Sequence, residues 1–177
     1  MKICISGTPG TGKTIIAEEL SKKLGWRLIS VNNLAKKLNA YLGEDKKRKV
    51  KILNMKKIKE NIEEIKENII IEGHTAHVIK SGIVVVLRCN PEILEKRLKE
   101  RYPDNPDKVK EDVDAEILGV ITSEAVKCNE KVYEVDTSSK SVDENVVDIQ
   151  NILDGRIVEY EAGLIDWLED YEGKLLR

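Results

Sequence analysis

A glycine-rich stretch near the amino terminus constrains the fold of this chain more than any other feature. Residues 7–14 read GTPGTGKT and match the pattern G-x-x-x-x-G-K-[ST]. Residues 2–6, KICIS, form a short apolar run typical of a buried strand, and residues 13–24 have the apolar spacing of an amphipathic helix. A strand, a tight glycine turn and a helix in this order predict a phosphate-binding loop at the carboxyl edge of a parallel sheet.

The residue types in this loop suit the phosphates of ATP. Gly10 and Gly12 let the backbone turn tightly and direct amide N–H groups at phosphate oxygens. We expect Lys13 to neutralise the β- and γ-phosphates and the Thr14 hydroxyl to bind Mg²⁺. The amino terminus of the following helix adds a dipole that favours negative charge. The loop therefore predicts a protein that binds ATP with Mg²⁺.

Apolar runs alternate with helical spacing along the rest of the chain, which is the pattern of successive β-α-β units. The other predicted strands lie at residues 27–31, 68–72, 83–88 and 131–135. The other predicted helices lie at residues 33–42, 55–67, 91–101, 106–129, 142–153 and 156–177. Residues 43–52 fit neither pattern. We predict one α/β domain over residues 1–177, in three layers, with a five-stranded parallel sheet that carries helices on both faces.

Three local signals indicate where helices begin. Asn90-Pro91 and Asn105-Pro106 each combine a capping residue with a proline at the first helical position. Ser141 and Glu144 have the spacing of a capping box.

Composition and charge exclude several classes of protein. The 30 basic and 32 acidic residues give a formal net charge of −2, so no overall charge attracts the chain to nucleic acid or to a membrane. Three cysteines without a metal-binding spacing favour a reducing compartment. No apolar run approaches the length of a membrane span. We therefore expect a cytoplasmic protein without membrane contact.

Three polar side chains lie at the end of the predicted strand at residues 68–72 or shortly after it. Glu72 ends that strand, where an acidic group can reach Mg²⁺ bound at the glycine-rich loop. His74 comes two residues later and is a candidate to orient a water molecule or to accept a proton. His77 is a weaker candidate for the same role. A zinc site at E-x-H-x-x-H is disfavoured, because the spacing lacks the i, i+4 histidine pair of helical zinc sites.

Two arginines share one face of the predicted helix at 91–101. Arg97 and Arg101 are four residues apart, and Arg101 lies where the helix ends in YPDNPD. Phosphoryl transfer requires cations over the transferred group, so both arginines are candidates for phosphate contacts. Surface ion pairs with Glu95 or Glu100 are the alternative interpretation.

These motifs together resemble the archaeal and eukaryotic adenylate-kinase-like ATPases, a family that includes the coilin-interacting nuclear ATPase and a yeast factor for small-ribosomal-subunit maturation. The resemblance rests on GTPGTGKT, on the acid-x-His at residues 72–74, and on VVLRCNPEILEKRLKERY followed by KVKEDVDAEI. It covers about residues 1–153. It implies a P-loop nucleoside monophosphate (NMP) kinase fold, with an NMP-binding segment at about 30–53 and a short lid at about 99–109.

The resemblance also implies roles for individual residues. The implied ATP contacts come from the glycine-rich loop and the lid, namely Gly10, Gly12, Lys13, Thr14, Ile15 and Arg101. His74 matches a histidine that the family uses in catalysis, and it joins Lys13, Glu72 and Arg101 as a candidate catalytic residue. The candidate acceptor contacts are Asn33, Lys36 and Arg97, and the candidate Mg²⁺ ligands are Thr14 and Glu72.

The chain departs from the family pattern at three places. Glu72 stands where the family usually has Asp. Asn32-Asn33 and Lys36 stand where it usually has Gly-Asp and Arg, and a lysine cannot form the bidentate contact of an arginine with phosphate. Residues 46–59 contain eight basic residues and no acid, whereas the family's segment is typically acidic. This basic run has three interpretations: capture of the acceptor phosphate, docking onto rRNA phosphates, or a solvated helix face.

Two functions follow from the resemblance. The first is a broad-specificity NMP kinase, an adenylate kinase with additional ATPase activity and a role in small-subunit maturation. The alternative is a nucleotide-gated ribosome assembly factor, in which ATP hydrolysis is the real activity. Both imply binding to a platform protein of the small ribosomal subunit. A small-metabolite kinase of the shikimate kind is a third interpretation, but the sequence lacks a paired-arginine carboxylate site.

Overall fold

A five-stranded parallel sheet forms the centre of the protein in the computed structural model, which describes residues 1–45 and 50–175. The strands are β1 (Lys2–Gly7), β2 (Arg27–Ser30), β3 (Tyr41–Asp45), β4 (Val50–Leu53), β5 (Ile69–Glu72), β6 (Ile83–Arg88) and β7 (Val132–Asp136). The helices are α1 (Lys13–Leu24), α2 (Val31–Leu38), α3 (Met55–Glu63), α4 (Pro91–Arg101), α5 (Pro106–Ile117), α6 (Val120–Cys128), α7 (Val142–Leu153) and α8 (Leu168–Leu175). Two short 3-10 turns occupy Ala76–Val78 and Val158–Tyr160.

The sheet has the strand order β2-β5-β1-β6-β7, and all its neighbouring strands are parallel. Side chains alternate between its two faces, so each face packs against its own set of helices. Ile3 and Ile5 of β1 belong to a buried cluster with α1 and α7, whereas Cys4 belongs to a cluster with α2, α3 and α6. The predicted three-layer α/β fold with a five-stranded parallel sheet is confirmed.

The helix starts follow the capping signals of the sequence. Asn90 accepts a hydrogen bond from the Glu92 N–H at 3.0 Å, at the start of α4. Asn105 accepts one from the Lys108 N–H at 3.1 Å, at the start of α5. The capping box at Ser141 is also present. Among the residues described, no helix is both long enough and apolar enough to cross a membrane.

The segment after β2 differs from the prediction. The helix predicted over 33–42 is wrong at its end, because α2 stops at Leu38 and Asn39 takes a left-handed conformation with φ of 48°. The described part of 43–52, which fitted no pattern, belongs to the antiparallel hairpin β3–β4, and β3 already begins at Tyr41, inside the predicted helix. Lys46–Lys49 lie outside the described residues. The hairpin extends the protein beside the carboxyl edge of the main sheet.

The prediction of one continuous helix over 106–129 is wrong. The structure divides this segment into α5 and α6 at Gly119, whose φ of 58° is left-handed. A β-carbon built on Gly119 would lie 3.8 Å from both terminal nitrogens of the Arg88 guanidinium. The helix therefore breaks where its backbone passes close to a buried charge.

The prediction of a helical segment over 156–177 is wrong for its central part. Between the 3-10 turn at Val158–Tyr160 and α8, the described chain is not helical. Glu161 instead forms an antiparallel bridge with Tyr133 of β7, and Gly163 has a φ of 95°. Tertiary contacts with the sheet therefore override the helical spacing of this segment.

Gly119→Ala should lower the free energy of unfolding by about 1–2 kcal/mol, because an L residue in the left-handed region is strained by about that amount. Urea denaturation at equilibrium measures the loss. Gly173→Ala is the matched control: Gly173 lies inside α8 with open space around its β-carbon position, so alanine there should be neutral or stabilising. Equal stability of the Gly119→Ala variant and the unmodified protein would contradict the strain argument.

Candidate active site

A cleft of about 1430 Å³ opens at the carboxyl ends of β1, β2 and β5. Residues from the glycine-rich loop, the end of β5, α2, the β3–β4 hairpin and α5 line it. Pockets that hold one small molecule typically enclose about 300–1,000 Å³. The cleft therefore has room for more than one ligand of that size.

The glycine-rich loop forms one end of the cleft. Gly10 and Gly12 both have left-handed backbones, with φ of 91° and 92°, and α1 begins directly after Gly12. A β-carbon on Gly10 would lie 2.9 Å from Leu94 Cδ1 of α4, so a larger residue would push the loop away from the helix behind it. Gly10, Gly12, Thr14 and Ile15 all line the cleft, as the sequence predicts for phosphate contacts.

Lys13 rests against the loop that precedes it. Its Nζ donates a hydrogen bond to the Thr8 carbonyl O at 2.9 Å. Burial lowers the pKa of Lys13 to about 8, and the nearby Glu72 carboxylate opposes this shift. A partly desolvated ammonium of this kind gains most from a ligand that brings negative charge, such as a phosphate.

Thr14 and Glu72 lie side by side at the base of the cleft. Thr14 Oγ1 donates to Glu72 Oε2 at 3.4 Å, and Glu72 is 6% exposed. Mg²⁺ in phosphoryl-transfer sites usually takes one or two protein oxygens and completes its shell with water and phosphate oxygens. A hydroxyl and a carboxylate in contact beside the loop fit that requirement.

The two histidines occupy different environments. His74 lines the cleft. Burial lowers its pKa most, and the nearby Lys13 ammonium lowers it further, so the imidazole is neutral at physiological pH. His77 is 2% exposed and does not line the cleft. Its ring nitrogens lie 2.9 Å from Ser6 Oγ and 2.9 Å from Glu124 Oε2. These contacts tie β1 to α6, which is a packing role.

The two arginines of α4 also lie in different environments. Arg101 lines the cleft beside Tyr102, with its guanidinium 5.4 Å from the ring centroid. Arg97 does not line the cleft. It donates to the Gly10 carbonyl O at 3.4 Å and to the Thr137 carbonyl O at 3.3 Å, behind the glycine-rich loop. A contact between Arg97 and substrate stays a prediction.

The other end of the cleft is formed by α2 and the hairpin. Asn33 and Lys36 line it, as the resemblance implies for an acceptor site. Tyr41 and Lys51 of the hairpin line it as well, and Lys51 Nζ lies 4.7 Å from the Tyr41 ring centroid. A cation over an aromatic face is a contact that sequence reasoning did not anticipate.

An acid–base pair on α5 was also missed. Lys108 Nζ donates to Asp112 Oδ1 at 2.6 Å, and both residues line the cleft. Asp112 is 6% exposed, and its Oδ2 has no hydrogen-bond partner within residues 1–45 and 50–175. Burial raises the pKa of Asp112, although the Lys108 ammonium opposes the shift. The i, i+4 spacing of this pair in the sequence was a usable signal, since it places both side chains on one helix face.

Known proteins resemble this chain over most of its length. A family model described as an AAA domain matches residues 3–119. A relative from Methanocaldococcus jannaschii, provisionally named adenylate kinase, is 38% identical over 97% of this chain and 95% of its own length. A similarly named relative from Thermococcus kodakarensis is 36% identical over 97% of this chain and 96% of its own length. The chain belongs to this family of archaeal P-loop kinases.

Solved structures give the same fold for this kinase. A shikimate kinase from Bacteroides thetaiotaomicron has a TM-score of 0.61, covering 87% of this chain and 98% of that chain at 14% identity. At this identity the likeness concerns the fold alone, and it confirms the P-loop kinase fold. The resemblance found in the sequence is thus confirmed for the archaeal P-loop kinases, and its narrower part, the ribosome-maturation branch, stays a prediction.

Asp112→Asn should stabilise the kinase at neutral pH. A carboxyl group whose folded-state pKa lies above its unfolded value contributes most stability below the unfolded pKa and loses it as the pH rises through the folded pKa. The free energy of unfolding of Asp112→Asn, relative to the unmodified protein, should therefore increase between pH 4 and pH 7. Asp114→Asn, on the same helix, controls for the loss of one acid from α5. A difference that falls over this pH range would contradict the argument.

Proposed function

We propose that the protein is an adenylate kinase, an NMP kinase that transfers the γ-phosphoryl group of ATP to AMP and yields two molecules of ADP. The observation that carries the proposal is a single cleft with cations at both ends. Lys13 lies at the end formed by the glycine-rich loop, and Lys36 and Lys51 lie at the other. Arg101 lines the same cleft from the end of α4. The provisional name of the archaeal relatives supports the same activity.

The arrangement suits an in-line transfer. An oxygen of the AMP phosphate forms the new bond to the γ-phosphorus, and the bond from that phosphorus to the β,γ-bridging oxygen breaks as ADP leaves. Lys13 and Arg101 stabilise the charge on the transferred group. Thr14 and Glu72 would hold Mg²⁺, which would neutralise phosphate charge during the transfer.

His74 supports a second candidate function, ATP hydrolysis. A phosphate acceptor is already ionised near neutral pH, since its second pKa is about 6, and it needs no general base. Water does need one, or at least a group that orients it. A neutral imidazole on the cleft wall, two residues after Glu72, suits that task. Hydrolysis is therefore the side reaction that we infer when the acceptor end is empty.

Binding to a platform protein of the small ribosomal subunit and to rRNA stays a prediction. It rests on the resemblance and on the basic run at 46–59, of which Lys46–Lys49 lie outside the described residues. Of the described part, Lys57 Nζ donates to the Leu38 carbonyl O at 2.7 Å, and Lys51 lines the cleft. These contacts support acceptor capture for Lys51 and a local structural role for Lys57.

Lys36→Gln should raise the KM for AMP by about tenfold with little change in the KM for ATP, because a hydrogen bond to a charged group contributes about 1.5–3 kcal/mol. Initial rates measured with AMP, CMP or no acceptor, following both ADP and inorganic phosphate, test this together with the proposed reaction. Lys37→Gln is the matched control, since Lys37 is exposed on the same helix and does not line the cleft.

Two outcomes of these assays would contradict the proposal. If AMP neither reduces the release of inorganic phosphate nor increases the formation of ADP, hydrolysis is the real activity. Equal effects of the Lys36→Gln and Lys37→Gln substitutions on the KM for AMP would remove Lys36 from the acceptor site.

The affinity for ATP should fall as the pH rises above about 8. Lys13 has its pKa lowered to about 8 in the free protein, so it is charged below that pH and neutral above it. Bound phosphates favour the charged form, so ATP binding is accompanied by proton uptake once the free lysine is neutral. If the lysine stays charged in the complex, we expect affinity to fall by about twofold from pH 7 to 8 and by about thirtyfold from pH 7 to 9.5.

Isothermal titration of ATP with Mg²⁺ across this pH range measures the effect. Lys13→Gln should bind ATP more weakly and show no decline above pH 8, and Lys13→Ala should abolish turnover without loss of the fold. If the affinity of Lys13→Gln for ATP still falls above pH 8, another group is responsible for the pH dependence.

A further inference from the structure

Glu116 is a buried carboxylate that joins the glycine-rich loop to the end of β6. Its side chain is 2% exposed and does not line the cleft. Glu116 Oε2 accepts a hydrogen bond from Thr8 Oγ1 at 2.6 Å. Glu116 Oε1 accepts from Arg88 Nε at 2.8 Å and from the Cys89 N–H at 3.1 Å. Donors from two different parts of the chain therefore hold its two oxygens.

Thr8 also contacts Lys13, through its carbonyl group. The Thr8 carbonyl O accepts hydrogen bonds from Lys13 Nζ and from Thr11 Oγ1, each at 2.9 Å. The carbonyl and the hydroxyl belong to one residue, so they move together when the contact with Glu116 is lost. The carbonyl oxygen that Lys13 contacts therefore belongs to a residue held by a buried carboxylate that does not line the cleft.

Arg88 prevents Glu116 from moving with the loop. Its guanidinium also pairs with Glu134 of β7, and it donates to the Glu116 carbonyl O at 2.9 Å and to the Ile165 carbonyl O at 3.1 Å. Glu134 in turn accepts from the Gly163 N–H at 2.8 Å. Successive contacts through Glu116, Arg88 and Glu134 therefore connect the glycine-rich loop to the segment before α8.

We propose that Glu116 is a positioning residue for the phosphate end of the active site, acting through its hydrogen bond with Thr8. The bond holds residues 7–14 in the conformation that receives phosphates before a nucleotide arrives. Without it, the loop must be ordered as the ligand binds, and that ordering weakens affinity. A hydrogen bond to a charged group corresponds to about tenfold or more in an equilibrium constant. Glu116 also lies on α5, so the same contact fixes Lys108 and Asp112 relative to the loop.

The test compares two buried threonines whose hydroxyls each donate to a buried carboxylate, of which only Thr8 belongs to the glycine-rich loop and lines the cleft. Thr8→Val removes the hydroxyl that donates a hydrogen bond to Glu116, and Thr8→Ser retains that hydroxyl. Thr122→Val is the matched control, because Thr122 Oγ1 donates to Glu134 Oε1 at the same 2.6 Å, is also buried, and does not touch the loop. Glu116→Gln is a second variant, which weakens the bond from the acceptor side. The measurements are the Kd for ADP with Mg²⁺, kcat, the KM for AMP and the Tm.

We expect Thr8→Val and Thr122→Val to lower the Tm by similar amounts, about 2–4 °C for each kcal/mol lost. Only Thr8→Val should weaken ADP binding and lower kcat, each by about tenfold, while the KM for AMP stays within about twofold of the unmodified value. Glu116→Gln should change ADP affinity in the same direction. Thr8→Ser should restore affinity to within about threefold.

Three results would overturn the inference. Unchanged ADP affinity in Thr8→Val would show that the contact only stabilises the fold. Equal losses in Thr8→Val and Thr122→Val would show a general effect of destabilisation. A Thr8→Ser variant as weak as Thr8→Val would show that the hydroxyl is not responsible. The inference concerns the phosphate end of the proposed kinase site, yet ADP binding needs no acceptor. Failure of AMP phosphorylation would therefore contradict the proposed function while leaving this test intact.

Discussion

The burial of the Arg88 charge is the constraint on which the surrounding structure depends. Arg88 is 3% exposed, and an unpaired cation at that depth would be strongly destabilising. Two carboxylates, Glu116 and Glu134, therefore have to meet it from α5 and β7. Their remaining lone pairs need donors as well, and the Thr8 hydroxyl and the Gly163 N–H supply them. Satisfying one buried charge thus joins the glycine-rich loop, the sheet and the carboxyl-terminal segment.

The parts of the fold that the sequence predicted are those with local causes. The glycine-rich loop requires left-handed backbone at Gly10 and Gly12, and the asparagine-proline pairs fix the starts of α4 and α5 by their own side chains. The failures have distant causes. The helical spacing across residues 106–129 is real, but Gly119 breaks the helix beside the Arg88 guanidinium, which comes from another strand. The segment at 161–167 leaves its helical pattern because Glu134 and Tyr133 of β7 bind its backbone.

The same division applies to the candidate site. Glu72 and His74 were found because the carboxyl end of a central parallel strand is where such folds bind ligands, and chain order alone gives that position. Glu116 and Asp112 were missed because they stand in KVKEDVDAEI, whose mixed charges are typical of a solvated helix face. Their burial comes from α4, the glycine-rich loop and Arg88, which pack around α5 only in the folded chain. Arg97 has a role that its spacing did not indicate, since it donates to the Gly10 carbonyl O of the glycine-rich loop, while its substrate contact stays a prediction.

Under the proposed function, the two ends of the cleft would hold phosphate by different physical means, and this bears on acceptor choice. At the proposed ATP end, the left-handed backbones of Gly10 and Gly12 and the contact of Lys13 Nζ with the Thr8 carbonyl O impose one geometry. At the acceptor end, Lys36 and Lys51 present point charges on flexible stems, and Lys51 lies over the face of Tyr41. A lysine responds to the charge of a phosphate with little demand on its orientation, whereas an arginine fork requires a fixed bidentate approach. An acceptor end built in this way would select for the charge of a monophosphate more than for its exact placement, which fits the proposed broad-specificity NMP kinase.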